Sequence, residues 1–146
     1  ESDYGKAPRY PQVRELLESC FALSEPNVAR YLAATLRMTC DYIGISTPMS
    51  LSSALEKKDD LAAQERVLEI NRVLGSSFYV NPIGGLSLYD REDFAKVGLE
   101  LAFLKTRDIR YRQFGKAFEP NLSILDVLMF NSPEDVQGML DEYDLV

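Results

Sequence analysis

Apolar residues in the first half of the chain recur at intervals of three and four, which is the spacing of amphipathic helices. The first apolar face consists of Val13, Leu16, Leu17, Cys20 and Phe21. The second follows Pro26, ends near Gly44 and consists of Val28, Leu32, Leu36, Thr39 and Ile43. The third, over about 59–74, consists of Ala63, Val67, Ile70 and Leu74, with Gly75 as the expected left-handed cap. We therefore predict three helices before residue 76.

Strand patterns come later in the chain and are short. Residues 78–80 are aromatic and β-branched, which favours a strand that ends at the Asn-Pro and Gly-Gly pairs. Over 99–103, large apolar residues alternate with Glu100 and Ala102, which predicts a strand with one face inward. Residues 45–51 are predicted as a short strand or an extended connection.

Capping signals predict three further short helices. Asp90 is the expected N-cap of a helix that Gly98 closes, and Ser123 and Ser132 each precede an acid by three residues, the spacing of a capping box. Helices that alternate with short strands are typical of an α/β or α+β fold. We predict a small sheet with helices packed around it.

The length of 146 residues is that of one domain, which buries roughly 68–70% of its unfolded surface. We expect a single domain over 1–146, in which residues 1–11 form a connector because two prolines disfavour a helix there. The apolar runs are all shorter than the ~20 residues that span a bilayer, so neither a membrane segment nor a signal peptide is predicted.

A net charge of -7 excludes a general nucleic-acid binder, which needs many cations to neutralise phosphates. The charge is unevenly distributed, since residues 131–146 hold five acids and no base. In contrast, one acid faces five bases over 105–116, namely Lys105, Arg107, Arg110, Arg112 and Lys116. This basic run is a local anion-binding candidate on an acidic protein.

Two cysteines and no histidine limit the available chemistry. Cys20 and Cys40 fall at apolar helical positions, so we expect reduced core residues of a cytoplasmic protein. Zinc sites need four such ligands or three plus water, and Ser-His-Asp and Cys-His catalysis need a histidine. We predict no metal and no cofactor, and we leave the catalytic residues unassigned.

The glycine pair Gly84 and Gly85 follows the first predicted strand. Glycines at such a point let a backbone approach an anion closely, but a plain tight turn with positive φ explains them equally and is the commoner structure. The flanking Tyr79 and Tyr89 could stack on a base or a sugar ring, or simply bury their rings in the core.

Two later segments carry polar side chains suited to a ligand. Tyr111-Arg112-Gln113 combines a guanidinium that can clamp a pyrophosphate with groups that bind sugar hydroxyls, although a charged strand edge has the same composition. Ser123 and Asp126 fit a capping box better than catalysis, because no histidine could activate the serine. Asp126 as a substrate ligand at a helix start stays an open alternative.

These segments, in this order, resemble the C-terminal portion of the WbqC-like family. The resemblance is densest over 75–126 and also covers 4–8, 42–45 and 50–55. It implies a functional loop made of Tyr79, Asn81, Gly84, Gly85 and Tyr89. It implies a later cluster made of Tyr111, Gln113, Phe118, Pro120, Ser123 and Asp126. Many members have Ser-Gly where this chain has Asn81-Pro82.

Members of the family also share an N-terminal region that begins with a Gln-Pro and aromatic-rich segment, and this chain does not contain it. We therefore expect the chain to be part of a longer protein and its fold to be incomplete without that half. Association of the family's genes with O-antigen clusters implies a role in bacterial surface-polysaccharide biosynthesis.

The resemblance implies a transferase that handles a sugar-nucleotide intermediate or its amino-sugar. Its anionic part would contact Arg110, Arg112 and the two glycines, with Tyr111, Gln113 and Asp126 near the sugar or the acceptor. The alternative is a non-catalytic interaction module of the same pathway. A homo-oligomer and a biosynthetic partner protein are both left open as partners.

Overall fold

A computed structural model describes residues 3–58, 60–115 and 117–146. The chain divides into two compact units. The first unit comprises the described residues of Glu1–Met49 together with Asp108–Glu142, and the second unit comprises those of Ser50–Arg107 together with Tyr143–Val146. Whether the two units unfold in one cooperative transition is a separate property, so the single domain stays a prediction. Asp59 at the expected start of the third helix and Lys116 of the basic run lie outside the described residues.

The described chain contains six α-helices and three strands, which confirms a mixed fold with a small sheet. The helices are α1 (Tyr10–Phe21), α2 (Val28–Ile43), α3 (Ala63–Leu74), α4 (Arg91–Lys96), α5 (Ile124–Phe130) and α6 (Pro133–Met139). The strands are β1 (Phe78–Pro82), β2 (Glu100–Thr106) and β3 (Tyr143–Leu145). Short 3-10 helices span Ser52–Ala54 and Ile83–Gly85. No helix of the described ranges has both the length and the apolar character needed to cross a membrane.

The first unit is helical, and its core lies where α1 packs on α2 and α5 and where α2 packs on α6. Its buried apolar residues are Ala7, Val13, Ile43, Leu128, Met129 and Val136. Part of the predicted connector belongs to this core, since Ala7 is buried and the Arg9 amide donates a 3.0 Å hydrogen bond to the Met129 carbonyl. The start of the chain is thus packed against α5.

Several predicted helix ends are confirmed. Gly44 and Gly75 end α2 and α3 in the left-handed region, with φ of 89° and 65°. Asp90 caps α4 by accepting a bond from the Glu92 amide. The capping box at Ser132 is complete, because both reciprocal bonds with Asp135 are formed.

The apolar face of α2 is only partly covered. Ile43 is 4% exposed, whereas Val28, Leu32 and Leu36 are 71%, 58% and 55% exposed. Helical periodicity indicates that an apolar face exists, but the residues that cover it come from elsewhere in the sequence. In this structure, three of the five residues that form the face are exposed to solvent.

The sheet lies entirely in the second unit, in the order β1-β2-β3. β1 and β2 are parallel, with Phe78 opposite Glu100, and α4 lies between them in sequence and packs on β2. β2 and β3 are antiparallel, with Leu104 opposite Leu145. The buried residues of this unit are Phe94, Leu99, Leu101 and Phe103.

β2 differs from its predicted alternation, because three successive residues, 101–103, are buried. Leu101 and Phe103 pack with Phe94 in the core of the second unit, and Ala102, whose side chain points to the opposite face, is buried as well, so both faces of the strand are covered here. The pattern of the sequence did not predict β3. Its pairing is long-range, and it is secured by Arg107, whose Nε donates a 3.1 Å hydrogen bond to Asp144 Oδ1.

We predict that Leu128→Ala lowers the free energy of unfolding by about 2–5 kcal/mol, because Leu128 is fully buried in the first unit and truncation leaves a cavity. The matched control is Leu36→Ala, which truncates an exposed leucine in a helix and should change stability by at most about 0.5 kcal/mol. Urea unfolding followed by circular dichroism measures both. Equal losses in the two variants would contradict the assignment of the core.

Candidate functional site

Asp126 lies in the first turn of α5, where Ser123 is the N-cap. The Ser123 hydroxyl accepts a 3.2 Å hydrogen bond from the Leu125 amide, so its capping role is confirmed. The carboxylate of Asp126 does not complete a capping box, because its described partners are other side chains. At 4% exposure, Asp126 is one of the buried charged residues of the chain.

Three donors from two distant segments converge on the Asp126 carboxylate. Tyr4 Oη donates to Oδ1 over 2.9 Å, and Tyr111 Oη donates to Oδ2 over 2.6 Å. Gln113 Nε2 donates to the same Oδ2 over 2.8 Å. A carboxylate offers about four acceptor positions, so one is left for a further donor. We call Tyr4, Tyr111, Gln113 and Asp126 the carboxylate cluster.

Both tyrosines of the carboxylate cluster stay protonated at neutral pH. Burial, and then the hydrogen bond to Asp126, raise the pKa of Tyr111 to about 12. The same two causes raise the pKa of Tyr4 above its ordinary value of 10.0. Each hydroxyl therefore donates a hydrogen bond to Asp126 and keeps its oxygen lone pairs as acceptors.

A loop stiffened by its own side chains carries Tyr111 and Gln113. Gln113 Nε2 donates to the Glu119 carbonyl over 3.1 Å, and Gln113 Oε1 accepts from the Glu119 amide over 2.9 Å. Phe118 meets the Tyr111 ring edge-on at 5.3 Å, and the Arg110 guanidinium lies 5.8 Å from the Phe118 ring. Arg110 is therefore held against an aromatic ring at the outside of the cluster.

Two adjoining cavities open in the first unit, and Gln113, Phe114 and Phe130 line both of them. The acidic cavity, of about 470 Å³, is also lined by Asp3, Tyr4, Glu119 and Asp126. The basic cavity, of about 360 Å³, is also lined by Lys6, Pro8 and Arg112. The first unit thus offers hydrogen-bonding carboxylates and cations side by side.

The predicted glycine loop is a packed turn of the second unit. Gly84 and Gly85 form a 3-10 turn, and neither is among the described glycines with positive φ. The need for glycine at 85 is steric instead, because a Cβ there would lie 2.1 Å from Asn81 Oδ1. Asn81 is held in place by a 2.7 Å hydrogen bond from its Nδ2 to Tyr79 Oη.

The rings of Tyr79 and Tyr89 pack on the core of the second unit. Tyr79 stacks on Phe94 with centroids 5.8 Å apart, and Tyr89 meets both rings edge-on. Burial raises the pKa of Tyr89. These contacts give both rings a structural role, and their role as substrate ligands stays a prediction.

The predicted site residues therefore form two groups. Tyr111, Gln113 and Asp126 come together in the first unit, with Arg112 at the adjoining cavity and Arg110 behind Phe118. The other group consists of Tyr79, Asn81, Gly84, Gly85 and Tyr89 in the second unit. Sequence reasoning missed Tyr4 and Lys6 as site residues, although residues 4–8 carried part of the family resemblance. In the described residues, no three His, Cys, Asp or Glu side chains are grouped to hold a metal ion.

Comparison with known proteins agrees with that resemblance. Residues 1–138 match the WbqC-like protein family. A protein of Mycobacterium tuberculosis described as "Uncharacterized protein Rv1507c" is 26% identical to this chain over 133 residues. That alignment covers 90% of this chain and 56% of the mycobacterial protein, so the chain spans about half the length of this relative. No solved structure matches the chain significantly.

We predict that Gly85→Ala destabilises the protein by about 1–3 kcal/mol, because the added methyl group meets Asn81 Oδ1. Gly84→Ala is the matched control, since a Cβ at Gly84 would have no atom within 4 Å. It should be neutral or stabilise by about 0.4–1 kcal/mol through the unfolded state. Urea midpoints compare the two. If Asn81→Ala does not relieve the loss in Gly85→Ala, the steric explanation is wrong.

We predict that the contribution of Tyr111 to stability is complete below pH 10.0, its ordinary pKa, and is lost as the pH rises through about 12. The sign follows from linkage: the folded state holds the proton more tightly than the unfolded state does. Absorbance titration of the phenolates in the folded protein, compared with Tyr111→Phe, isolates this group. A difference curve with its midpoint near 10 would contradict the hydrogen bond from Tyr111 to Asp126.

Proposed function

Because this chain belongs to the WbqC-like protein family, we propose that it acts in bacterial surface-polysaccharide biosynthesis, as part of a transferase that binds a sugar nucleotide or its amino-sugar. The observation that carries the proposal is the buried Asp126 carboxylate, fixed by three donors at the wall of an open cavity.

The carboxylate cluster suits a ligand rich in hydroxyl or amino groups. Asp126 has one acceptor position left, and the oxygens of Tyr4 and Tyr111 can accept further hydrogen bonds because their protons point to Asp126. A sugar hydroxyl or an ammonium group supplies the matching donors. Since all three groups are held by mutual hydrogen bonds, a ligand meets a preorganised site.

The surroundings of the carboxylate cluster also suit a sugar. The ring of Phe130 lines the acidic cavity, and apolar sugar faces pack on aromatic rings. Asp3 and Glu119 add acceptors on the same wall. The proposal gives these residues binding roles and leaves the second-unit glycines as a predicted contact.

The proposal places the activity in the cytoplasm. Cys20 and Cys40 are both free, which supports a reducing compartment because disulfides form mainly in oxidising ones. The activity is that of the whole protein, to which this chain contributes the carboxylate cluster.

A protein-interaction module in the same pathway is the second candidate, favoured by the exposed apolar residues Val28, Leu32 and Leu36 on α2. Exposed apolar patches often mark protein contacts. The two functions differ in what a small molecule does. A sugar-nucleotide transferase is stabilised by its ligand, whereas an interaction module shows no thermal shift with any sugar nucleotide.

We predict that the full-length protein binds a member of a panel of UDP-, GDP- and dTDP-linked sugars in calorimetric titration, and that Asp126→Asn weakens this binding about tenfold or more because a charged acceptor is lost. The matched control is Asp141→Asn, which removes an exposed charge of the first unit outside both cavities. Tyr111→Phe provides a second test with a smaller change in the fold. Absence of binding across the panel, or binding that both Asp126→Asn and Tyr111→Phe retain, would overturn the proposal.

A further inference from the structure

The basic cavity brings together two cations that are distant in the sequence. Lys6 and Arg112 lie far apart in the sequence and line the same space of about 360 Å³. The six residues that line it, Lys6, Pro8, Arg112, Gln113, Phe114 and Phe130, include no acid. In a chain with 23 acids and 16 bases, a cavity that holds two cations alone is unexpected for a merely solvated surface.

The two cations lack neutralising partners within the described part of the chain. Arg107, in contrast, is paired with Asp144, and Lys96 with Asp93. Like charges that share a cavity repel each other, and an anion between them converts this repulsion into attraction. The free fork of Arg112 matches two phosphate oxygens, and Lys6 adds a mobile point charge.

Aromatic rings stand beside these cations. Phe114 is 55% exposed and meets Phe130 edge-on, with centroids 4.8 Å apart. This contact fixes the Phe114 ring while leaving much of it open. A fixed, exposed ring next to cations is the arrangement that binds a nucleobase by stacking beside its phosphates.

The basic cavity shares a wall with the acidic cavity, formed by Gln113, Phe114 and Phe130. Gln113 therefore touches both spaces while it donates to Asp126. A ligand that is anionic at one end and rich in hydroxyl groups at the other can occupy both cavities at once.

We infer that the basic cavity is the subsite for the diphosphate of a nucleoside diphosphate, bound between Lys6 and Arg112 with its base on Phe114. This inference rests on the proposed function for the identity of the ligand. It adds an anion-binding role for Lys6 and fixes the direction of the substrate, with the phosphates in the basic cavity and the sugar in the acidic one.

The test is titration calorimetry of the full-length protein with UDP, GDP and inorganic pyrophosphate at two salt concentrations. Lys6→Ala and Arg112→Ala should each weaken diphosphate binding about tenfold or more, because each removes a charged hydrogen-bond donor. The matched control Arg30→Ala removes an exposed cation that lines neither cavity and should leave the affinity unchanged. Added salt should weaken binding less in the two variants than in the wild type.

The variant Phe114→Leu distinguishes the contribution of the base to binding from that of the phosphates. It should weaken the binding of nucleoside diphosphates about fivefold or more, because the stacking of the base on an aromatic ring is lost, and it should not affect pyrophosphate. Far-ultraviolet circular dichroism and urea midpoints verify that each variant is folded.

The outcomes separate this inference from the proposed function. Absence of diphosphate binding, or binding that Lys6→Ala and Arg112→Ala leave unchanged, overturns the subsite even where Asp126→Asn still weakens sugar-nucleotide binding. In the converse case, diphosphate binding requires Lys6 and Arg112, but Asp126→Asn does not change the affinity for the sugar nucleotide. That result supports the subsite and overturns the proposed sugar site.

Discussion

Burial of the Asp126 carboxylate is the constraint around which the first unit is organised. A carboxylate removed from water is strongly destabilising unless hydrogen bonds replace its hydration. Tyr4, Tyr111 and Gln113 supply those bonds, and the start of α5 adds favourable backbone dipoles. The carboxylate thereby ties the N-terminal segment and the loop after residue 110 to one helix. The atoms that hold these segments together are the same atoms that face the acidic cavity.

Local sequence signals predicted the elements of this fold well, because their causes are local. Gly44 and Gly75 end helices through their own backbone freedom, and the Ser132 capping box closes within one turn. β3 escaped prediction because a three-residue strand exists only through its pairing with β2. The exposure of the apolar face of α2 was not predictable for the same reason. Amphipathic spacing predicts an apolar face, but it does not predict which residues, if any, pack on that face.

The residues of the candidate site also differ in whether local sequence could predict them. Tyr111, Gln113 and Asp126 lie within sixteen positions of one another and could be grouped from the sequence, whereas Tyr4 joins them only through the fold. The spacing of Ser123 and Asp126 favoured a capping box, and Ser123 does cap α5. Asp126 binds elsewhere because two tyrosine hydroxyls and an amide satisfy a buried carboxylate better than one backbone amide could. At Gly85 the short motif was noticed correctly, but its physical cause is the approach of Asn81.

Because one cavity is acidic and the adjoining one is basic, both repulsion and attraction determine the orientation of the proposed ligand. A diphosphate placed beside Asp126 would meet Asp3 and Glu119 as well, and bringing like charges together at close range is unfavourable. The same diphosphate beside Lys6 and Arg112 gains two charged donors. A sugar hydroxyl has the opposite preference, because it can donate a charge-assisted hydrogen bond to a carboxylate, whereas a cation can only donate to its oxygen. In the reversed orientation, both the diphosphate and the sugar would therefore bind less favourably. Repulsion in the reversed orientation can select the correct one even without tighter contacts there.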